Sequence, residues 1–204
     1  MKISHDRIII WMNAIRNTHE KEQYRILENF WESQIKSKVW LLEKIKEVSI
    51  ELSGNIYIFG GWYGILAQLL IDNFPEIQKV YSIDIDCDCE YYGKILSNND
   101  SKINFITSDM INFIEYENAK LIINTSTEHV DENTFNKWIK FTPEKTPIIL
   151  QGNDYFDCPE HIRCTKNLDE FRLLNPLKNY IYSGERQFPK ENGKFLRFMT
   201  IGYR

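Results

Sequence analysis

Apolar residues in the first quarter of the chain recur every three or four positions. The series begins with Ile8, Trp11 and Ile15 and continues, after a polar interval, through Leu27 to Ile45. This spacing places the apolar side chains on one face of an α-helix. We therefore predict helical structure over residues 4–50, ended by the turn-forming run at residues 53–55.

From residue 56 onward, short apolar runs alternate with amphipathic segments. The pattern predicts strands at 56–59, 80–85, 104–107, 121–124 and 148–151. It predicts helices at 64–73, 89–97, 110–115, 131–140 and 167–174. Strands and helices that alternate through short connections are typical of a parallel sheet with helices on both faces.

The C-terminal part of the chain does not continue this alternation of strands and helices. Residues 180–188 and 194–203 are strand-like, and residues 189–193 leave no room for a helix between them. Such a pair predicts an antiparallel hairpin. The fold class is thus α/β: a Rossmann-like, doubly wound, mostly parallel sheet with a C-terminal hairpin and N-terminal helices. We expect a helical cap at 1–50 and the α/β part at 51–204, together forming one compact domain.

Composition narrows the class of protein. The chain has 204 residues and a net charge of −4, so no broad basic surface for nucleic acid is expected. No apolar run approaches the roughly 20 residues of a membrane helix, and the start lacks a secretory cleavage pattern. The four cysteines have poor spacing for zinc, so we predict free thiols in a reducing cytoplasm and no metal site.

The turn at residues 60–64, Gly-Gly-Trp-Tyr-Gly, lies between the first predicted strand and a helix. Asp84 lies at the end of the second predicted strand. A glycine turn, a helix N-terminus and a carboxylate are the groups that hold a nucleotide-type cofactor. Because parallel strands end at the same edge of a sheet, the polar residues after all five strands predict one binding cleft.

Gly60–Gly64, Asp84, Asp109 and Asn124 resemble the four cofactor motifs of class I S-adenosylmethionine-dependent methyltransferases. The resemblance covers residues 54–204 and extends, at 124–129, 150–154, 182–185 and 197–199, to small phage and bacterial proteins sometimes labelled transfer-RNA methyltransferases. It implies S-adenosyl-L-methionine as cofactor, held by Gly60, Gly61, Trp62, Tyr63, Gly64, Asp84, Ile85, Asp86, Asp109, Met110, Asn124, Thr125 and Ser126. Trp62 departs from the pattern, because the family usually has a glycine there.

The segment that follows the fourth strand is the strongest candidate for catalysis. Glu128 and His129 would lie near the methyl acceptor, where histidine is a natural general base at neutral pH. His161 is more typical of a loop histidine than of a base. Candidate substrate contacts come from the N-terminal helices and from the end of the fifth strand: Gln34, Lys38, Gln151, Asn153 and Tyr155.

Three hypotheses follow from the sequence. The first is a cytoplasmic enzyme that transfers a methyl group to a small molecule or RNA, with a homodimer as one assembly that the hairpin edge and the N-terminal helices could support. The second is an enzyme of the same fold that cleaves or cyclises S-adenosylmethionine, which Trp62 would favour by closing the pocket. The third is a non-catalytic binding module in which Trp62 fills the cofactor space.

Overall fold

The N-terminal segment forms three helices. The computed structural model describes residues 3–204, and its first helices are α1 (His5–Arg16), α2 (Glu20–Glu28) and α3 (Glu32–Glu47). The Ser4 side chain caps α1 by accepting a hydrogen bond from the Arg7 N–H at 3.1 Å. The apolar periodicity therefore predicted the helical state correctly, but it did not reveal the two breaks.

Seven strands form one sheet in the order β3-β2-β1-β4-β5-β7-β6. Their bounds are β1 (Asn55–Phe59), β2 (Lys79–Asp84), β3 (Ile103–Thr107), β4 (Ala119–Asn124), β5 (Ile148–Asn153), β6 (Lys178–Lys190) and β7 (Gly193–Tyr203). The first five strands are parallel, whereas β7 runs antiparallel to both β5 and β6. The predicted fold class is confirmed, including the C-terminal hairpin.

Four helices connect the strands: α4 (Ile65–Asn73), α5 (Cys87–Leu96), α6 (Glu132–Phe141) and α7 (Leu168–Leu174). The helix predicted at 110–115 is wrong, because Met110–Asn112 forms only one 3-10 turn. The residues beyond this turn pack individually on the sheet. The Phe113 ring lies 5.7 Å from Phe59, and the Tyr116 ring lies 5.3 Å from Tyr57. Their apolar spacing reflects these separate contacts and not a helical face.

The two faces of β1 contact two different cores. Ile56 and Ile58 pack in the core that contains α1, α3 and α4, whereas Tyr57 and Phe59 face α6 and α7. Trp40 of α3 is completely buried in the first core. The N-terminal helices thus cover one face of the sheet and reach its carboxyl edge.

Within residues 3–204, no helix has the length and apolarity to span a bilayer.

Candidate functional site

The turn after β1 has a left-handed backbone at three of its five residues. The φ angles are +63° at Gly60, +49° at Trp62 and +75° at Gly64. A Cβ added to Gly64 would lie 2.5 Å from the Phe105 ring, so both its conformation and its packing require glycine. Trp62 adopts a conformation that glycine adopts freely, at a cost of roughly 1–2 kcal/mol. The turn therefore keeps the backbone shape of a glycine motif despite the indole.

Asp84 holds this turn in place from the end of β2. The N–H of Trp62 donates to Asp84 Oδ2 at 2.9 Å, and the N–H of Asp86 donates to Oδ1 at 3.1 Å. An ionised carboxylate offers about four lone-pair sites, so each oxygen keeps acceptor capacity after these two bonds. Asp84 also lines the main cleft. It can therefore position the turn and accept further hydrogen bonds from a ligand.

The N-terminal helices are tied to this edge of the sheet by Arg25 of α2. Its guanidinium donates to Asp86 Oδ2 at 2.5 Å and lies 5.6 Å from the centre of the Tyr63 ring. The hydrogen bond from Arg25 is the main reason that the pKa of Asp86 is lowered from its ordinary value. The Tyr63 hydroxyl donates to Glu22 Oε2 at 3.1 Å. These contacts make α2 one wall of the site.

A cleft of about 1230 Å³ runs along the carboxyl ends of the parallel strands. Typical ligand pockets have about 300–1,000 Å³, so this one has room for two ligands side by side. Most of the predicted residues line it: Gln34, Lys38, Gly60, Gly61, Trp62, Asp84, Ile85, Asp86, Asp109, Met110, Asn124, Thr125, Ser126, Glu128, His129, Asn153 and Tyr155. The structure therefore brings residues from both chain halves to one surface.

The remaining three predicted residues lie outside the cleft lining. Tyr63 is 1% exposed and faces the core, while Gly64 contacts Phe105. Gln151 lies within β5, which continues two residues beyond its predicted end, and is completely buried. Its Oε1 accepts a hydrogen bond from Ser37 Oγ at 3.0 Å. These three residues therefore lie behind the residues that line the cleft.

The ends of β3 and β4 present side chains that stabilise their own loops. Asn124 is buried and accepts a hydrogen bond from the Ser126 N–H at 2.9 Å. Asp109 accepts one from the Ile111 N–H at 3.1 Å. Both residues thereby shape the floor of the cleft.

Glu128 lies at the centre of a buried polar cluster. It is 2% exposed, and its Oε1 accepts a hydrogen bond from Asn153 Nδ2 at 2.5 Å. Arg197 of β7 is also buried, with its Nη1 3.8 Å from the same oxygen and 3.4 Å from the Thr125 carbonyl oxygen. A buried carboxylate is stabilised by such a pairing. Arg197 lies in the segment 197–199 that carries part of the family resemblance, but its place beside Glu128 was not predicted, because it depends on the antiparallel pairing of β7 with β5.

His129 and His161 face each other across the mouth of this cluster. Their ring centroids lie 4.6 Å apart with nearly perpendicular planes. His161 Nδ1 lies 2.9 Å from the Tyr155 carbonyl oxygen, and burial lowers the pKa of His161 below its ordinary value. His161 therefore belongs to the cleft wall, although its sequence context suggested only a loop histidine.

Lys38 enters the cleft from α3. Its Nζ donates to Gln34 Oε1 at 3.0 Å. Desolvation, followed by repulsion from Arg197, lowers the pKa of Lys38 to about 7. Its surroundings in the cleft therefore disfavour the charged form of Lys38.

No family model and no curated protein matches this sequence. Solved structures share the fold. NodS, an N-methyltransferase from Bradyrhizobium japonicum WM9 in complex with S-adenosyl-L-homocysteine, has a TM-score of 0.66 at 12% identity and covers 95% of this chain and 98% of its own. TrmK from M. capricolum, in complex with S-adenosyl-homocysteine, has a TM-score of 0.52 at 16% identity, with 78% and 69% covered.

MtNAS is a third similar structure. A mutant of it in complex with S-adenosylmethionine has a TM-score of 0.58 at 11% identity and covers 97% of this chain and 72% of its own. A further structure of MtNAS contains MTA and tNA. At these identities the likeness establishes the fold alone, a mostly parallel Rossmann-like sheet with a C-terminal antiparallel hairpin.

Proposed function

We propose that this protein is a cytoplasmic enzyme that binds S-adenosylmethionine and transfers its methyl group to a small molecule or an RNA. The observation that carries the proposal is the position of Asp84, whose carboxylate holds the turn after β1 and lines the same cleft. Its unused lone pairs suit the two hydroxyls of a ribose. Complexes of NodS, TrmK and MtNAS with this cofactor or its demethylated product lend support.

The cofactor would supply a methyl group on a positively charged sulfur, open to in-line displacement. Gly60, Gly61 and Trp62 would border its methionine end, and Ile85 and Met110 its adenine. Such a transfer depends mainly on holding the reactants in line. Glu128 and His129 line the same cleft, where they would orient the acceptor and assist removal of its proton.

The first experiment is incubation of the purified chain with S-adenosylmethionine alone. Binding would be followed by calorimetry and products by mass spectrometry. We expect binding without turnover, and then methylation when candidate small molecules or transfer RNA are added. Absence of binding would overturn the proposal and favour a non-catalytic module.

A second candidate function is cleavage or cyclisation of S-adenosylmethionine by its own aminobutyryl group. Trp62 favours it, because an indole lines the cleft at the position where the resembled turn has its central glycine. A structure of MtNAS, which has a similar fold, in complex with MTA and tNA lends support to this candidate. Formation of methylthioadenosine without an added acceptor would support this function over methyl transfer.

A further inference from the structure

Three potential metal ligands lie close together in the lining of the cleft. One carboxylate oxygen of Glu128 and one ring nitrogen each of His129 and His161 lie within 4.8 Å of one another. Glu128 and His129 belong to the short turn after β4, whereas His161 comes from the loop between β5 and α7. All three line the cleft, so the space between them opens toward the ligand site.

Glu128 has an acceptor that no described residue uses. Its Oε1 is bonded to Asn153 and approached by Arg197, but within residues 3–204 its buried Oε2 has no hydrogen-bond partner. A buried carboxylate oxygen without a partner is costly, and such groups in native structures call for a ligand or ion. The cluster thus contains one buried carboxylate oxygen, Oε2 of Glu128, that has no hydrogen-bond partner among residues 3–204.

One ring nitrogen of His161 is engaged by the backbone. A carbonyl oxygen only accepts hydrogen bonds, so the 2.9 Å contact with Tyr155 places the proton on His161 Nδ1. The lone pair of Nε2 is then free. Metal-binding histidines almost always donate their other ring N–H to a carbonyl or a carboxylate in this way.

We propose that Glu128, His129 and His161 bind a divalent transition-metal ion, with the remaining coordination positions open to the cleft. Two imidazoles and one carboxylate are the ligands of several catalytic zinc sites, at distances of about 2.0–2.2 Å. The ligand atoms must approach one another by roughly 1 Å to reach tetrahedral spacing. His129 is exposed and can make this movement. The open positions would take an oxygen of the methyl acceptor, a role that rests on the proposed function.

The test is titration of the EDTA-treated, dialysed full chain with ZnCl₂ by calorimetry and with CoCl₂ by visible absorption. We expect one ion per chain and the spectrum of Co²⁺ with nitrogen and oxygen ligands. His129→Ala and His161→Ala should each weaken zinc binding by about 100-fold or more. Loss of a residue that only orients a metal ligand costs about 10- to 100-fold in metal affinity, and loss of the ligand itself should cost at least as much. His5→Gln, at an exposed histidine of α1, is the matched control.

A second group of potential ligands, Asp86, Cys87 and Asp88, lies near the surface, and nothing else there indicates a ligand. Cys87→Ser removes its thiol and so shows whether zinc binds at this second group. The inference is wrong if a thiolate-to-cobalt band appears, if His129→Ala binds zinc normally, or if the parent binds no ion at millimolar concentration. Binding of S-adenosylmethionine to the metal-free chain is measured in parallel. If the chain binds S-adenosylmethionine but no metal ion, this inference alone is overturned. If the chain does not bind S-adenosylmethionine, the proposed function is overturned.

Discussion

Individual side chains in this cleft combine structural and ligand-binding roles, and Asp84 is the clearest case. Its two oxygens already accept hydrogen bonds from the N–H groups of Trp62 and Asp86. The same carboxylate is the residue proposed to hold the ribose. A substitution at this position therefore tests the cofactor site directly.

We expect Asp84→Asn to weaken binding of S-adenosylmethionine by about 10- to 100-fold. Hydrogen bonds to a charged group contribute about 1.5–3 kcal/mol, and the amide removes both the charge and one acceptor. Isothermal calorimetry measures the affinity, and circular dichroism verifies that the variant is folded. Asp169→Asn, an exposed carboxylate at the start of α7, is the control. Unchanged affinity in Asp84→Asn would exclude the carboxylate as a cofactor ligand.

Lys38 predicts a dependence of stability on pH. Its pKa is about 7 in the folded chain and 10.5 for an ordinary lysine, so between these values the unfolded chain binds more protons. Stability therefore rises with pH across this window, and the cost of burying the charge is largest below pH 7. Lys38→Met should be more stable than the parent at pH 6, by a margin that shrinks toward pH 10.

Urea denaturation of both proteins at pH 6, 8 and 10 measures this difference. Lys36→Met, on the exposed side of the same helix, is the control and should show no such trend. A constant difference between Lys38→Met and the parent at all three values would mean that Lys38 stays charged in the folded chain.

At the scale of elements, the sequence predicted both ends of all seven strands to within two residues, because their apolar runs are bounded by turn residues. It also predicted most of the cleft, since strand order in such folds places particular strand ends together. It did not predict that Tyr63 and Gln151 face inward. The direction of Tyr63 depends on the backbone of the turn, and Gln151 is buried because β5 continues two residues beyond its predicted end. Contacts between distant segments, such as Arg197 with Glu128, depend on tertiary pairing that local spacing does not encode.

The attachment of α2 to the sheet leads to a prediction about local stability. Arg25 pairs with Asp86, but both side chains are partly exposed, so the pair contributes about 1 kcal/mol or less to global stability. Arg25→Gln should leave the unfolding midpoint nearly unchanged while α2 opens more often. Hydrogen–deuterium exchange should accelerate by up to about fivefold in peptides of α2 and stay unchanged in α6.

Arg16→Gln, at the exposed end of α1, serves as the reference variant for this measurement. If Arg25→Gln raised exchange equally in α2 and α6, the ion pair would stabilise the whole domain and not the attachment of the cap. The pKa of Asp86 would return toward its ordinary value in the same variant, because the Arg25 hydrogen bond is the main cause of its lowering.

At the scale of the whole molecule, one continuous core joins the N-terminal helices to the sheet. Trp11, Ile26 and Trp40 belong to the same buried cluster as Ile56 and Met199. A cap that shares its core with the sheet cannot unfold without exposing apolar surface on the sheet, at about 25 cal/mol per Å². The boundary at residue 50 therefore separates two sequence patterns. We propose that the residues on its two sides unfold together as one cooperative unit.

We accordingly expect one unfolding transition in calorimetry, with equal midpoints by fluorescence and circular dichroism. S-adenosyl-L-homocysteine at 100 times its dissociation constant should add about 2.7 kcal/mol, which raises the midpoint by roughly 5–10 °C for a chain of this size. A chain that begins at residue 51 should lose the cooperative transition, because the surface covered by Trp40 would be exposed. Two separate transitions in the full chain, with only the later one shifted by the ligand, would instead show that the cap folds independently and that the cofactor cleft is complete without it.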